Sequence, residues 1–214
     1  MDSYQETFAT WNKVASRYQE LFMPLDLYNE TYDFICHSMP KDNSKLLEIG
    51  CGPGNITKYL LSKRPDFYIY GIDIAPNMIE LARKNNPSAQ FSVMDCRQID
   101  TLQTTYDAII CGFCLPYLSQ EDTGKFIHDC AALLHESGLI YISFVEGNPD
   151  QSGFQVGSTG DRAYFYFHRL DKIIQHLEQN KLEQIKVVHV NYKKTENEME
   201  MHTIVTAKKI AIAK

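Results

Sequence analysis

Apolar positions along the chain follow two alternating patterns. Short, nearly continuous apolar runs occupy residues 45–50, 67–73, 90–95, 106–112 and 138–145. Between them, apolar residues recur every three or four positions, as in amphipathic helices, over residues 54–63, 76–85 and 120–135. Continuous apolar strands that alternate with helices are typical of a parallel sheet covered on both faces. Because such crossovers are right-handed, the pattern predicts a doubly wound α/β fold.

The two ends of the chain carry different patterns. Near the start, residues 7–21 and 26–38 predict amphipathic helices. Near the end, residues 170–180 predict a helix, followed by two strands at 183–192 and 200–209. Two consecutive strands with a short link are antiparallel neighbours. A parallel sheet that closes with an antiparallel hairpin is not the usual end of a nicotinamide-binding domain.

Length and composition predict one domain. The chain has 214 residues, of which 44% are hydrophobic and 22% charged, with no repeat or linker. We therefore interpret residues 1–214 as a single domain in which residues 1–40 form a helical cap. A net charge of -6 without a basic cluster disfavours nucleic acid as a partner. No secretory leader and no membrane-spanning run is recognisable, so we expect a cytoplasmic protein without a membrane partner.

The six cysteines are scattered through the chain. Cys111 and Cys114 have a CxxC spacing, but no second pair and no histidine at zinc spacing accompany them. We predict reduced, mostly buried thiols and no metal site.

A glycine-rich loop follows the first apolar run in the sequence EIGCGPG. Gly50, Gly52 and Gly54 allow a sharp turn and a close approach of the backbone to a ligand. The N–H groups of the following helix can bind a polar group of that ligand. The spacing is GxGxG, and the third glycine of the dinucleotide pattern is missing. Glu48 lies in the preceding strand, where a buried carboxylate is costly without a partner.

The next strands also end in polar or small residues. Asp73 ends the second strand and could accept both hydroxyls of a ribose. Asp95, followed by Cys96, ends the third strand and suits an amino group on an adenine. The fourth strand ends in Cys111, Gly112 and Phe113. Because the carboxyl ends of parallel strands share one edge of a sheet, we predict that these residues face one crevice.

These motifs together resemble the class I S-adenosylmethionine-dependent methyltransferases over most of the chain. The resemblance rests on EIGCGPG, GIDIAPNM, the Asp95 strand end and the YDAII strand. It implies a seven-stranded, mostly parallel, Rossmann-like sheet with an antiparallel last strand, and S-adenosylmethionine as the cofactor. It also implies a set of cofactor-binding residues, each at its motif position: Glu48, Gly50, Gly52 and Gly54 at the methionine part, Asp73 at the ribose, Ile74, Met78, Asp95 and Cys96 at the adenine, Cys111 at the amino group, and Tyr18 as an N-terminal aromatic cap. Core packing of the first helix explains Tyr18 nearly as well.

The resemblance implies an enzyme that transfers a methyl group to a small molecule by in-line displacement. CGFCLPYL replaces the Asn/Asp-Pro-Pro-aromatic run of family members that methylate exocyclic amines of nucleic-acid bases. We expect the acceptor to contact Phe113 and Tyr117 after the fourth strand, and Tyr164 and Tyr166 further on. The remaining alternatives are a catalytically silent S-adenosylmethionine-binding protein and, disfavoured by the loop and the closing hairpin, a nucleotide-dependent oxidoreductase.

Residues 146–168 form the longest stretch without helical periodicity, and their glycines suggest a mobile lid. The aromatic residues that end this stretch form an acceptor wall in one interpretation, with His168 as a candidate base. In the other interpretation they belong to a short extended segment with one buried face. The catalytic residue otherwise stays unknown.

Overall fold

The computed structural model describes residues 3–39, 41–157, 159–194, 196 and 198–210. The helices in this part of the chain are α1 (Ser3–Lys13), α2 (Ala15–Phe22), α3 (Asn29–Ser38), α4 (Asn55–Lys63), α5 (Pro76–Asn85), α6 (Gln120–Leu133) and α7 (Leu170–Gln179). The strands are β1 (Lys45–Ile49), β2 (Tyr68–Asp73), β3 (Gln90–Val93), β4 (Tyr106–Gly112), β5 (Leu134–Val145), β6 (Gly153–Val156), β7 (Arg162–Phe165), β8 (Leu182–Lys193) and β9 (Met199–Lys209).

Seven of the strands form one sheet in the order β3-β2-β1-β4-β5-β9-β8. The first five are parallel, while β9 runs antiparallel to both of its neighbours, β5 and β8. This arrangement confirms the predicted doubly wound sheet and its reversed last strand. It also brings the first residues of β9 to the edge where the parallel strands end, because the direction of β9 is opposite to theirs.

The central strand β1 is buried on both faces. Leu47 and Ile49 pack in one apolar cluster and Leu46 packs in a second, and none of the three is exposed. Burial on both faces explains why the strand reads as a continuous apolar run rather than an alternating one.

The N-terminal cap differs in detail from the prediction. The helix expected at residues 7–21 is divided at Val14, whose backbone leaves the helical conformation before α2 begins. Both helices pack against α5, and α1 packs in addition against β7. The next helix begins at Asn29 rather than at residue 26, and β5 begins at Leu134 rather than at residue 138.

The segment 146–168 contains a hairpin formed by β6 and β7, which is separate from the main sheet. Hydrogen bonds tie this hairpin to α1: the Thr7 hydroxyl accepts from the Tyr164 amide at 2.9 Å, and the Thr10 hydroxyl donates to the Arg162 carbonyl at 2.7 Å. The hairpin and α1 therefore form one combined cover over the sheet edge.

None of the helices among the described residues has the length and apolar character needed to cross a membrane.

Candidate active site

A cavity of about 280 Å³ opens at the carboxyl ends of β1, β2 and β4, beneath α1 and α2. Eleven of the residues predicted to bind cofactor or acceptor line it: Tyr18, Glu48, Gly50, Gly52, Asp73, Ile74, Met78, Asp95, Cys96, Phe113 and Tyr117. The structure thus brings most of the predicted residues into one site.

The glycine loop is shaped by left-handed backbone at all three glycines, with φ of 66° at Gly50, 53° at Gly52 and 81° at Gly54. L-residues rarely adopt this region, which explains the glycines. Gly52 faces the cavity. Gly54 instead packs against α5, where a Cβ would lie 2.4 Å from Nδ2 of Asn86. The role of Gly54 is therefore to seat the loop rather than to contact a ligand.

Glu48 lines the cavity and carries one unsatisfied oxygen. The side chain is 1% exposed, and its Oε2 accepts a hydrogen bond from the Thr57 hydroxyl. Its Oε1 is buried without a hydrogen-bond partner in the described part of the chain. Burial raises the pKa of Glu48 to about 8. An N–H or cationic group of a ligand would satisfy this oxygen and favour the ionised carboxylate.

Asp73 holds the loop and faces the cavity at the same time. Its Oδ2 accepts from the Gly52 amide and its Oδ1 accepts from the Ala75 amide, both at 2.9 Å. Burial raises the pKa of Asp73, and these backbone hydrogen bonds partly oppose that rise. A carboxylate has about four acceptor sites, so Asp73 can still accept from a hydroxyl group of a ligand.

Asp95 is less available than the sequence suggests. The Arg97 guanidinium forms a two-point ion pair with it, with Nη2 at 2.6 Å and Nε at 3.0 Å from Oδ2. The Arg97 amide also donates to Oδ1 at 2.9 Å. Asp95 lines the cavity, but its carboxylate is already paired, so any contact with an adenine amino group would be a second bond for an occupied oxygen.

Two aromatic side chains of the cap close the cofactor side. The Tyr18 ring lies over the loop, about 3.5 Å from the position that a Cβ on Gly52 would take. Trp11 packs edge-on against Tyr18 at 5.6 Å between ring centroids, and its Nε1 is buried without a partner among the described residues. Sequence reasoning missed Trp11 as a site residue because its spacing in the helix is fully explained by packing.

The other half of the cavity is aromatic with one polar cluster, formed by Tyr28, Glu200 and His202. The Tyr28 hydroxyl lies 2.6 Å from Nδ1 of His202, and Nε2 of His202 lies 2.9 Å from Oε2 of Glu200. Tyr192 stacks on His202 at 4.9 Å, and Phe113 packs edge-on against it at 4.7 Å. Phe113 has a left-handed backbone, with φ of 54°, which is a strained conformation for a non-glycine residue.

Sequence reasoning missed Tyr28, Tyr192, Glu200 and His202, which form or flank the polar cluster and lie outside the motifs. The reversed direction of the last strand could have identified three of them, Tyr192, Glu200 and His202. A reversed last strand begins at the edge where the parallel strands end, so the residues at the start of β9 and the end of β8 had to reach the site. Register confirms this, because His202 pairs with Val145 and Glu200 pairs with Tyr192.

His168 lies outside the cavity lining. Its side chain is 1% exposed, with Nε2 at 2.9 Å from the Leu115 carbonyl oxygen and Nδ1 at 3.1 Å from Nε2 of Gln120. Burial lowers its pKa. Both ring nitrogens hold the chain after β4 against the end of the hairpin segment. This placement argues against the predicted role of His168 as a base and assigns it a structural one.

Tyr164 and Tyr166 also lie outside the lining. Their rings pack on each other at 4.6 Å, and Tyr166 packs against Tyr4 of α1 at 6.2 Å. The intervening residue, Phe165, points to the other face and lines the cavity instead. The prediction that Tyr164 and Tyr166 form the aromatic wall is therefore wrong by one position. Phe165 forms it instead, because side chains alternate along a strand. Cys111 lies beneath the cavity floor and is fully buried.

The cysteines carry no disulfide, and all six are free thiols. Cys96 and Cys114 line the cavity, with their sulfur atoms 3.8 Å apart. A hydrogen bond with a neighbouring cysteine, and after it burial, raises the pKa of both thiols. Among the described residues, no group of three or more His, Cys, Asp or Glu side chains is placed to hold a metal ion.

Comparisons with known proteins point to methyltransferases. Residues 46–138 match the methyltransferase domain family. A malonyl-[acyl-carrier protein] O-methyltransferase of Acetivibrio thermocellus is 33% identical over 105 residues, which cover 48% of this chain and 36% of that protein. A ubiquinone biosynthesis O-methyltransferase of Coxiella burnetii is 22% identical over 202 residues, or 88% of this chain and 85% of that protein. The chain spans less than half the length of several other curated relatives, for example 49% of one and 23% of another.

Among solved structures, the magnesium protoporphyrin IX methyltransferase of Synechocystis PCC 6803 with bound S-adenosylmethionine has the same fold. The TM-score is 0.72 at 18% sequence identity, and the match covers 98% of each chain.

The fold and the site define a Rossmann-like methyltransferase domain. Residues 46–138 match a methyltransferase domain family and the fold is that of solved S-adenosylmethionine-dependent methyltransferases, so the resemblance that the motifs predict is confirmed. The residues present fit the cofactor of that family, because the cavity lining includes Glu48 with its unsatisfied oxygen, Asp73 with a free acceptor site, and an open approach at Gly52.

Proposed function

We propose that the protein transfers the methyl group of S-adenosylmethionine to a small molecule that binds in the aromatic half of the cavity. The observation that carries this proposal is the unsatisfied Oε1 of Glu48, a residue of the cavity lining that it shares with the carboxylate of Asp73. Together they complement a ligand with a cationic end and a ribose. S-adenosylmethionine supplies an activated methyl group on a sulfonium centre.

The chain's own residues bind and orient the donor. Glu48 would accept from its amino group, and Asp73 would accept from a hydroxyl of its ribose. The N-terminus of α4, which begins at Asn55 on the cavity wall, offers N–H groups to a carboxylate. Tyr18 and Trp11 cover this half and exclude water. Alignment and exclusion of water are the main requirements of an in-line displacement.

The acceptor half suits a compact, mostly apolar molecule. Its walls are formed by Leu25, Tyr32, Ile56, Phe113 and Val145, so polar contacts are confined to the cluster around His202. The net charge of -6 disfavours a nucleic-acid acceptor. The relatives named above are a malonyl-carrier and a ubiquinone-pathway O-methyltransferase and a porphyrin methyltransferase, so their names also point to acceptors other than nucleic acid.

Turnover of labelled donor tests the proposal. The protein would be incubated with S-adenosylmethionine carrying a labelled methyl group and with single-ring compounds bearing hydroxyl, amino, thiol or carboxylate groups. We expect label in at least one acceptor and an equal amount of thioether product, both reduced about tenfold or more in Asp73→Asn at donor concentrations below saturation. Tight binding of the donor without transfer to any small acceptor would favour the catalytically silent alternative.

A further inference from the structure

The polar cluster at the acceptor end of the cavity has the order of a proton relay. Glu200 and His202 lie on β9, and Tyr28 precedes α3. A carboxylate only accepts hydrogen bonds, so the contact between Glu200 and His202 places the imidazole proton on Nε2. Nδ1 is then an acceptor, and the Tyr28 hydroxyl donates to it. The Tyr28 oxygen keeps its own lone pairs, and Tyr28 lines the cavity.

We propose that Tyr28, His202 and Glu200 remove the proton from the hydroxyl group of a small, flat, phenol-type acceptor during methyl transfer. This inference rests on the proposed function and names the acceptor class of the same site. It is carried by the unbroken hydrogen-bond chain from the cavity wall to the rim, at 2.6 Å and 2.9 Å.

The step balances in atoms and charge. A bond forms between the acceptor oxygen and the methyl carbon, while the bond between carbon and sulfur breaks and its electron pair stays on sulfur. The acceptor proton moves to the Tyr28 oxygen, and the Tyr28 proton moves to Nδ1 of His202. The positive charge lost from sulfur thus ends on the imidazolium, beside Glu200. Glu200 lies at the partly exposed rim, from which the proton reaches solvent.

The charges around His202 suit this task. Glu200 of β9 faces it directly, and Tyr192 of β8 stacks on it. Lys194, just after β8, pairs with Glu200 at 3.5 Å, and Tyr28, just before α3, donates to His202. Burial lowers the pKa of His202, while Glu200 opposes that fall. The imidazole is therefore neutral near pH 7 and able to accept a proton.

The cluster also selects among acceptor groups. An amine attacks as its free base and a thiol ionises near pH 8.5, so neither depends on a strong relay. A carboxylate is already ionised and would be repelled by Glu200. A phenolic hydroxyl, with a pKa of about 10, keeps its proton at neutral pH and gains most from a general base. The neighbouring rings of Phe113 and Tyr192 offer a flat apolar surface for such a ring.

A matched series tests the acceptor class. Phenol, aniline, thiophenol and benzoate carry the same ring, and turnover of each would be measured as formation of thioether product. We expect phenols to be methylated fastest. Binding of 4-nitrophenol in the presence of the thioether product provides a readout that needs no turnover, because the ionised form absorbs at longer wavelength. The wild-type protein should shift bound nitrophenol toward the ionised form, and His202→Asn should not.

The pH profile separates a relay from a structural role. In the wild-type protein, the rate with phenol should rise through the lowered pKa of His202 and then level off near neutral pH. In His202→Asn the rate should fall about 100-fold or more at pH 7, and the loss should shrink as the pH approaches 10, where the phenol ionises unaided. Tyr28→Phe should show the same profile. Tyr141→Phe is the matched control, because it loses a buried hydroxyl that contacts Thr31 at 3.0 Å outside the cavity.

The results distinguish failure of the proposed methyl-transfer function from failure of the proton relay alone. Failure of S-adenosylmethionine to bind the wild-type protein overturns the proposed function itself. If the donor binds, three results overturn the relay alone: phenols that neither bind nor react, equal or faster turnover of aniline or benzoate, or wild-type pH profiles in both variants.

Discussion

At the residue scale, the site depends on carboxylates that serve two purposes. Asp73 fixes the glycine loop through the Gly52 amide and still faces the cavity. Glu48 is held by Thr57 through one oxygen and offers the other. The sequence predicts both residues because acids at strand ends are conspicuous. It does not predict that Asp95 is occupied by Arg97, since a contact between two side chains in one loop depends on their rotamers.

Asp73→Asn should weaken binding of S-adenosylmethionine at least tenfold. The amide keeps the size of the side chain but loses charge-assisted hydrogen bonds, each worth about 1.5–3 kcal/mol before water compensates. Calorimetric titration measures the loss. Asp107→Asn is the matched control, because Asp107 accepts the Lys45 amide at 2.8 Å at the opposite end of the strands. Equal affinities of wild type and Asp73→Asn would remove Asp73 from the site.

Binding of the cofactor should release a proton from Glu48. In the ligand-free protein its pKa is about 8, so it is largely protonated at pH 6–7, and a cationic partner favours the ionised form. Affinity should therefore rise from pH 6 to about pH 8 and then level off. Titrations in buffers of different ionisation enthalpy measure the proton directly. Glu48→Gln retains the titration of the ligand's own amino group, so only the difference between the two proteins reports on Glu48. Identical pH dependence in both would contradict this role.

The same residue makes stability depend on pH. The pKa of Glu48 is about 8 when folded against 4.5 as its ordinary value, so the folded state binds more protons between these pH values. The stabilisation is complete below pH 4.5 and is lost as the pH rises through 8. Chemical denaturation of the ligand-free protein at pH 6 and pH 9 should therefore show a smaller loss of unfolding free energy in Glu48→Gln than in wild type. An equal loss of unfolding free energy in wild type and in Glu48→Gln would contradict this prediction.

At the scale of elements, the loop between β1 and α4 and the cover formed by α1 with the hairpin position the cavity. The sequence predicts the strands and helices of the sheet well, since their periodicity is a local property. It predicts the cover less well, because the break at Val14 and the hairpin register depend on tertiary partners. The sequence predicts acceptor contacts at Tyr164 and Tyr166, whereas Phe165 between them lines the cavity.

Gly54→Ala should destabilise the fold by about 1–2 kcal/mol or more. Its φ of 81° is costly for an L-residue, and the new Cβ would lie 2.4 Å from Asn86 and close to Ala82. Urea denaturation measures the change. Gly153→Ala is the control, because nothing lies within 4 Å of its Cβ position, and its effect should stay within about 0.5 kcal/mol. Similar stabilities of the two variants would show that the backbone at position 54 is not restrictive.

The hypothesis that residues 146–168 act as a lid applies to this cover as a unit. Because Thr7 and Thr10 bond the hairpin to α1, the two should open together. Amide exchange in α1 and in β7 should be fast in the empty protein and markedly slower with the thioether product, while exchange in β4 stays unchanged. Equal protection in both states would leave a fixed surface segment.

At the scale of the whole molecule, the site is assembled from the two ends and the middle of the chain. The middle supplies the cofactor half, and its motifs were recognisable because their residues lie close together in sequence. Tyr28 and His202 are 174 positions apart, so their contact could not be read from spacing. The reversed strand β9 is the feature that joins them, and it was predicted from the closing hairpin without its consequence for the site.

The central claim is that this cavity binds S-adenosylmethionine rather than a nicotinamide dinucleotide. Calorimetric titration of the purified protein with S-adenosylmethionine, its thioether product and NAD tests it most directly. We predict saturable one-to-one binding of the first two and none of NAD. Measurable binding of NAD with none of the sulfonium compound would contradict the account.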